Sequence, residues 1–130
     1  MTKEKIKQTV EIEATPHAVY EALMDSEKHS EMTGNIAVIE RKANGKFSAF
    51  SGYAEGKFIE LVPDKRIIQT WRANDWPKGA VSTITITLKP AKTGTLLEFI
   101  QTDVPEKFAE ETSRGWHEFY WKPMKKILKK

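Results

Sequence analysis

Three histidines, 18 carboxylates and no cysteine define the chemistry open to this 130-residue chain. His17, His29 and His117 are far apart, and none falls in a spacing such as HExxH, which sets two imidazoles on one helix face around a metal. No metal site is expected from them. The lack of cysteine removes thiolate nucleophiles, thiolate ligands and disulfides together, which suits a reducing compartment and makes the cytoplasm the expected location. There is no GxSxG elbow, P-loop or GxGxxG, and the serines have no evident partner base. No catalytic residue and no cofactor is assigned on this basis, and the chain reads as a binder, not an enzyme.

The carboxylates leave one opening. Glu55, Glu60 and Glu98 fall in strand-like stretches, and a buried carboxyl with a raised pKa can serve as the general base of a cyclase-like pocket. Glu98 shares the parity of Leu96 and Ile100, which makes it the least ordinary of the three. Charged side chains are almost never fully buried unless paired, so solvent or a neighbouring cation is its plainer surrounding. The aromatic residues are more telling. All four tryptophans lie at or after position 71, in the clusters Trp71 to Gly79 and Gly115 to Trp121, where a sheet could meet a helix around a core or a ligand cavity.

The elements that position these residues follow from periodicity. Ile6, Val10 and Ile12 share one parity from Ile6 to Ala14, as in a strand with one buried face. Thr15-Pro16 then opens a helix that runs to Asp25, and Ser26 caps a second short helix ending near Thr33-Gly34. Period two returns over Ala37 to Arg41 and Lys46 to Phe50, with Asn44-Gly45 read as a tight hairpin turn. Tyr53 to Leu61, Arg66 to Arg72, Val81 to Lys89 and Thr95 to Asp103 continue as strands, with Gly56 marking a bulge or bend. No crossover helix separates these strands, so they form an antiparallel meander.

Past Val104-Pro105 the period becomes 3.6, and Thr112, Trp116, Phe119, Tyr120, Pro123 and Ile127 form one stripe. Glu106, Glu110 and Glu111 near its start and Lys125, Lys126, Lys129 and Lys130 near its end complement the helix dipole, while Pro123 is expected to kink it. An antiparallel sheet with one apolar face must be covered, and this helix is the element long enough to do it. The expected fold is therefore α+β and helix-grip: a curved seven-stranded antiparallel sheet around a long C-terminal helix, with two short helices after the first strand. A single domain over residues 1–130 fits the length, and the net charge of +3 is too small to nominate nucleic acid. No apolar run approaches the roughly 18 residues that span a bilayer, so no membrane is expected.

Several motifs occur in register along the chain: Gly45-Lys46-Phe47, Gly52, Gly56, Leu61-Val62-Pro63, Ile67 to Arg72, Trp76-Pro77-Lys78-Gly79, Ser82, Gly94-Thr95, Gln101 to Pro105 and Gly115-Trp116 through Trp121. Together they resemble the AHSA1-type family, related to the C-terminal part of the activator of Hsp90 ATPase, within the START/Bet v 1-like (SRPBCC) superfamily. Asn44 stands where many relatives carry glycine, a change a turn tolerates because asparagine accepts positive φ. The eukaryotic activator has a further domain, and no counterpart of it is expected in this 130-residue sequence. The resemblance implies a co-chaperone-like domain that touches an Hsp90-type ATPase through exposed aromatics and basic residues; Trp121, off the helix stripe, and Trp76, in a loop beside Pro77, are the expected exposed anchors.

The alternative partner is a small apolar ligand held between sheet and helix, and its expected lining is Phe47, Phe58, Trp71, Ile84, Ile86, Phe99, Trp116, Phe119 and Tyr120. For Trp116, Phe119 and Tyr120, core packing and cavity lining both remain open, since the same stripe faces the sheet in either case. Gly115 favours close packing by permitting near approach of a strand. Trp121 lies more than a quarter turn off the stripe, which is why it is read as a surface residue.

Overall fold

Alternation decides the first element: Ile6, Gln8, Val10 and Ile12 are buried and the residues between them exposed along β1 (Lys3–Ile12) in the computed structural model, which describes residues 3–128. Helix α1 (Pro16–Met24) begins with Pro16 at its first position, and the Thr15 hydroxyl accepts the Ala18 amide at 3.1 Å. Helix α2 (Ser26–Thr33) is capped by Asp25, not Ser26, with the Asp25 carboxylate accepting the Lys28 amide at 2.9 Å. The Ser26 hydroxyl instead accepts the Ile39 amide at 2.9 Å, tying α2 to the sheet edge.

The remaining strands are β2 (Val38–Ile39), β3 (Lys46–Ala49), β4 (Ala54–Val62), β5 (Arg66–Ala73), β6 (Ser82–Ala91) and β7 (Gly94–Pro105). They form one seven-stranded sheet in the order β1-β7-β6-β5-β4-β3-β2, and every neighbouring pair is antiparallel. Chain order is thus a plain meander from β2 to β7, and β1 is added to the β7 edge. The expected helix-grip fold is present.

Local details differ from expectation. Asn44-Gly45 does not make a two-residue hairpin; the Gly45 amide bonds the Lys42 carbonyl, and the Asn44 amide and Gly45 carbonyl pair with Phe58 on β4. The loop is drawn toward β4 because those extra bonds satisfy its backbone. The bulge lies between Phe58 and Glu60, whereas Gly56 pairs in register with Phe47. Glycine is needed there for close approach: a Cβ would sit 2.1 Å from the Thr70 carbonyl oxygen and 2.8 Å from the Phe47 ring.

The last helix is continuous but not uniform. Helix α3 (Glu106–Trp116) passes into a π-helical turn (His117–Trp121) and then α4 (Lys122–Leu128). Pro123 explains the turn: it has no amide hydrogen, and its ring would clash with the Phe119 carbonyl in regular α geometry. The chain widens instead, and the Lys122 amide reaches back five residues to the His117 carbonyl. One residue is in effect inserted, so the buried set beyond Tyr120 is Trp121 and Met124, not Pro123 and Ile127. Lys129 and Lys130, read as part of the basic helix end, lie outside the described residues. No helix among the described residues is long and apolar enough to cross a membrane.

Candidate functional site

Two glutamines on the buried parity of the sheet fasten the helix. Gln8 of β1 accepts the Trp121 indole N–H at 2.6 Å, and its amide donates to the Ser113 carbonyl at 2.9 Å and hydroxyl at 3.0 Å. Gln101 of β7 accepts the Trp116 indole N–H at 2.8 Å and donates to the Ser82 hydroxyl at 2.9 Å, which donates in turn to the Trp71 carbonyl at 2.6 Å. Each polar atom in these chains has a partner, as burial requires. Trp116 and Trp121 stack at 5.8 Å, a contact the π-helical turn makes available by bringing residues five apart onto one face.

On the other side of Trp116 the seam opens. A cavity of about 230 Å³ lies there, walled by the aromatic rings of Phe50, Tyr53, Trp71, Trp116, Phe119 and Tyr120, with Glu111, Thr112 and Gly115 contributed by α3. Gly115 is what leaves the room. A Cβ at this position would meet nothing closer than the Phe119 ring edge at 3.8 Å, so the glycine faces space and does not seat a strand as its type implied. A second cavity of about 20 Å³, close to one water, shares Trp71, Trp116 and Tyr120 as walls.

The mouth is held by an unusual backbone. Phe50 and Ser51 follow β3 with φ of 53° and 55°, a left-handed conformation that non-glycine residues seldom adopt. This sets the Phe50 ring edge-on to Phe119 at 5.8 Å and to Tyr120 at 5.5 Å. The Tyr53 hydroxyl donates to Asp75 at 3.1 Å. Burial, that hydrogen bond and the charges of Asp75 and Glu111 push the Tyr53 phenol up to about 12.

Behind the cavity wall His29 and Tyr120 satisfy each other. The His29 Nδ1–H donates to the Leu23 carbonyl at 3.0 Å, which leaves Nε2 to accept the Tyr120 hydroxyl at 2.9 Å. Burial lowers the His29 pKa and raises that of Tyr120, so both stay neutral around pH 7. A neutral pair already bonded to each other offers neither a ready base nor a ready acid. Trp71 is the exception in the polar accounting: its buried indole N–H has no acceptor among the described residues.

Known proteins resemble this chain in sequence and in shape. The model of the family described as "Activator of Hsp90 ATPase homolog 1-like protein" matches residues 13–129. The chain belongs to this family. An activator of 90 kDa heat shock protein ATPase homolog from Dictyostelium discoideum is 33% identical over 116 residues, covering 88% of this chain and 30% of that protein. The human homolog 1 is 31% identical over 114 residues, covering 88% of this chain and 34% of its own length. The chain thus spans about a third of the curated relatives it matches.

Among solved structures, an HSP90 activator from Plasmodium falciparum superposes with a TM-score of 0.84 at 24% identity, covering 97% of this chain and 95% of that one. The Aha1 dimer from Colwellia psychrerythraea gives a TM-score of 0.79 at 19% identity, covering 97% of each chain. These likenesses are ones of fold.

Within this member of the AHSA1-type family, the nine expected lining residues divide. Trp71, Trp116, Phe119 and Tyr120 wall the larger cavity. Phe47, Phe58 and Ile86 reach the smaller one, and Ile84 and Phe99 are packed in the core away from both. Phe119 is 54% exposed because it stands at the mouth. The two expected surface anchors are corrected: Trp121 is only 1% exposed and Trp76 only 4%.

The π-helical turn rotates Trp121 inward. Trp76 folds back onto Trp71 at 5.4 Å and Phe108 at 6.4 Å while Arg72 Nη2 bonds its carbonyl at 3.0 Å. Glu98 faces outward and pairs with Lys89 at 3.1 Å, because Leu97 and Phe99 are the residues that face the core. His17 pairs with Asp64 at 2.9 Å on the surface, and no group of three His, Cys, Asp or Glu among the described residues is placed to hold a metal. Sequence reasoning missed Gln8, Gln101, Phe50, Tyr53 and Glu111.

Proposed function

We propose that this domain binds a cytoplasmic Hsp90-type ATPase and shifts it toward the conformation that turns over ATP. The observation that carries the reading is the match to proteins named as activators of that ATPase over most of this chain. Binding of this kind needs differential affinity for two states of the partner, not chemistry in this domain, and the mutually satisfied His29–Tyr120 pair fits that division of labour. Titrating the domain into a purified Hsp90-type ATPase should raise its ATP turnover saturably. An unchanged rate at saturating concentration removes the reading.

A second reading has its own support in the 230 Å³ space beside Gly115: the domain holds a small, largely apolar molecule. An engineered apolar cavity of about 150 Å³ admits benzene, so this space is ample for a guest of one ring and a short chain. A guest present at 100 times its dissociation constant adds about 2.7 kcal/mol to stability, which a thermal-shift screen detects. A screen of one-ring compounds that leaves the melting temperature unmoved counts against it.

A further inference from the structure

Among the described residues, the walls of the larger cavity present six aromatic side chains and one acidic one, Glu111. No lysine, arginine or histidine among the described residues lines it, although the chain as a whole carries a net charge of +3. Aromatic faces carry the negative part of the ring quadrupole and attract a cation placed within about 6 Å of the ring centre. A carboxylate at the rim adds attraction of the same sign. We propose that this cavity is a binding site for an alkylated ammonium, a small cation whose charge is spread over an apolar body. The inference rests on the second reading above and specifies which guest the cavity takes.

The chemistry favours this class over its neighbours. A primary ammonium or guanidinium brings several N–H donors that need acceptors, and the cavity offers few beyond Glu111 and Thr112. A quaternary or tertiary ammonium makes little or no such demand, loses less hydration on entering, and covers the rings with its methyl groups. A carboxylate or phosphate guest would face Glu111 with Asp75 close behind, and the Tyr53 phenol already registers both charges. The Phe50 backbone adds a reason to treat the box as built: the left-handed pair Phe50–Ser51 holds a ring across the mouth, fixed by the Ser51 amide on the Ile36 carbonyl at 2.9 Å and the Tyr53 amide on the Phe50 carbonyl at 3.1 Å.

The test uses a charged probe and its neutral isostere, benzyltrimethylammonium and neopentylbenzene, each titrated into the full chain while the indole N–H signals of Trp71 and Trp116 are followed by NMR. The cation is expected to shift both signals saturably and to bind roughly ten-fold more tightly than the isostere. Glu111→Gln, at an exposed position that does not threaten folding, should weaken the cation by roughly three- to five-fold and leave the isostere unchanged. Gly115→Leu should abolish both by filling the space. Equal binding of the two probes, or a cation affinity untouched by Glu111→Gln, overturns the ammonium inference while leaving the cavity reading intact; indole signals that neither probe moves overturn both.

Discussion

One helix meets one sheet along a single seam, yet its two sides are built differently. Around Trp121, indole rings stack, Gln8 and Ser113 close the hydrogen bonds, and Gln8, Trp116 and Trp121 are almost wholly buried. Around Gly115, five residues earlier than Tyr120, six rings stand around open volume, Phe119 reaches solvent and the Trp71 N–H has no acceptor among the described residues. Composition is similar on both sides, since each is dominated by aromatics. The difference lies in one missing side chain and one inserted helical residue: glycine at 115 withholds filler, and the π-helical turn before Pro123 rotates Trp121 into the sheet.

The largest contrast between the two sides is expected when one ring is truncated on each. Trp121→Ala should cost about 3–5 kcal/mol, as large-to-small changes in a closed core do. Phe119→Ala, half in water at the cavity mouth, should stay within roughly 1 kcal/mol of the parent. Chemical denaturation of both variants reads the contrast; equal losses would mean that the seam is uniform.

How far the sequence foretold this follows from which signals it carries. The strands were legible because apolar parity is strict in β1 and β6, and the order of elements left the last helix as the cover. Trp121 was misplaced because a 3.6-residue period was carried through Pro123, where the chain answers the missing amide with a π-helical turn. Trp76 was misplaced because a loop beside Pro77 reads as exposed, while contacts with Trp71 and Phe108 are made only in three dimensions. Gln8 and Gln101 could have been found, since each sits on the buried parity of its strand with apolar neighbours two residues away. The sequence leaves core packing and cavity lining both open, and nothing local shows that Phe50 turns left-handed to set its ring beside Phe119 and Tyr120.

A smaller effect separates the fastened side from the open one by hydrogen bonding alone. Gln101→Leu leaves the Trp116 N–H without an acceptor and removes the donor to the Ser82 hydroxyl, which keeps its own bond to the Trp71 carbonyl, and should cost about 1–3 kcal/mol, with the same sheet and helix retained in circular dichroism. A neutral outcome would show that water replaces the amide, and hence that the cavity extends past Trp116.

Protonation probes the wall between the two cavities. His29 has its folded-state pKa lowered below the ordinary 6.5 by burial, so the unfolded chain takes up a proton first as the medium is acidified. Its contribution is therefore intact above pH 6.5 and is lost as pH falls below it, at no more than about 1.4 kcal/mol per pH unit. Stability measured from pH 7.5 to 5 should fall toward acid, and His29→Asn should flatten that slope. A parent slope that matches the variant's would mean that His29 is open to solvent.

The most direct measurement concerns Gly115, because this glycine faces space and not a packed strand. Gly115→Ala should raise stability by about 0.5–1 kcal/mol, the usual gain for alanine over glycine inside a helix, with the fold unchanged. A loss of stability on that substitution would show that the backbone is pressed against a neighbour there, and the open half of the seam would not exist.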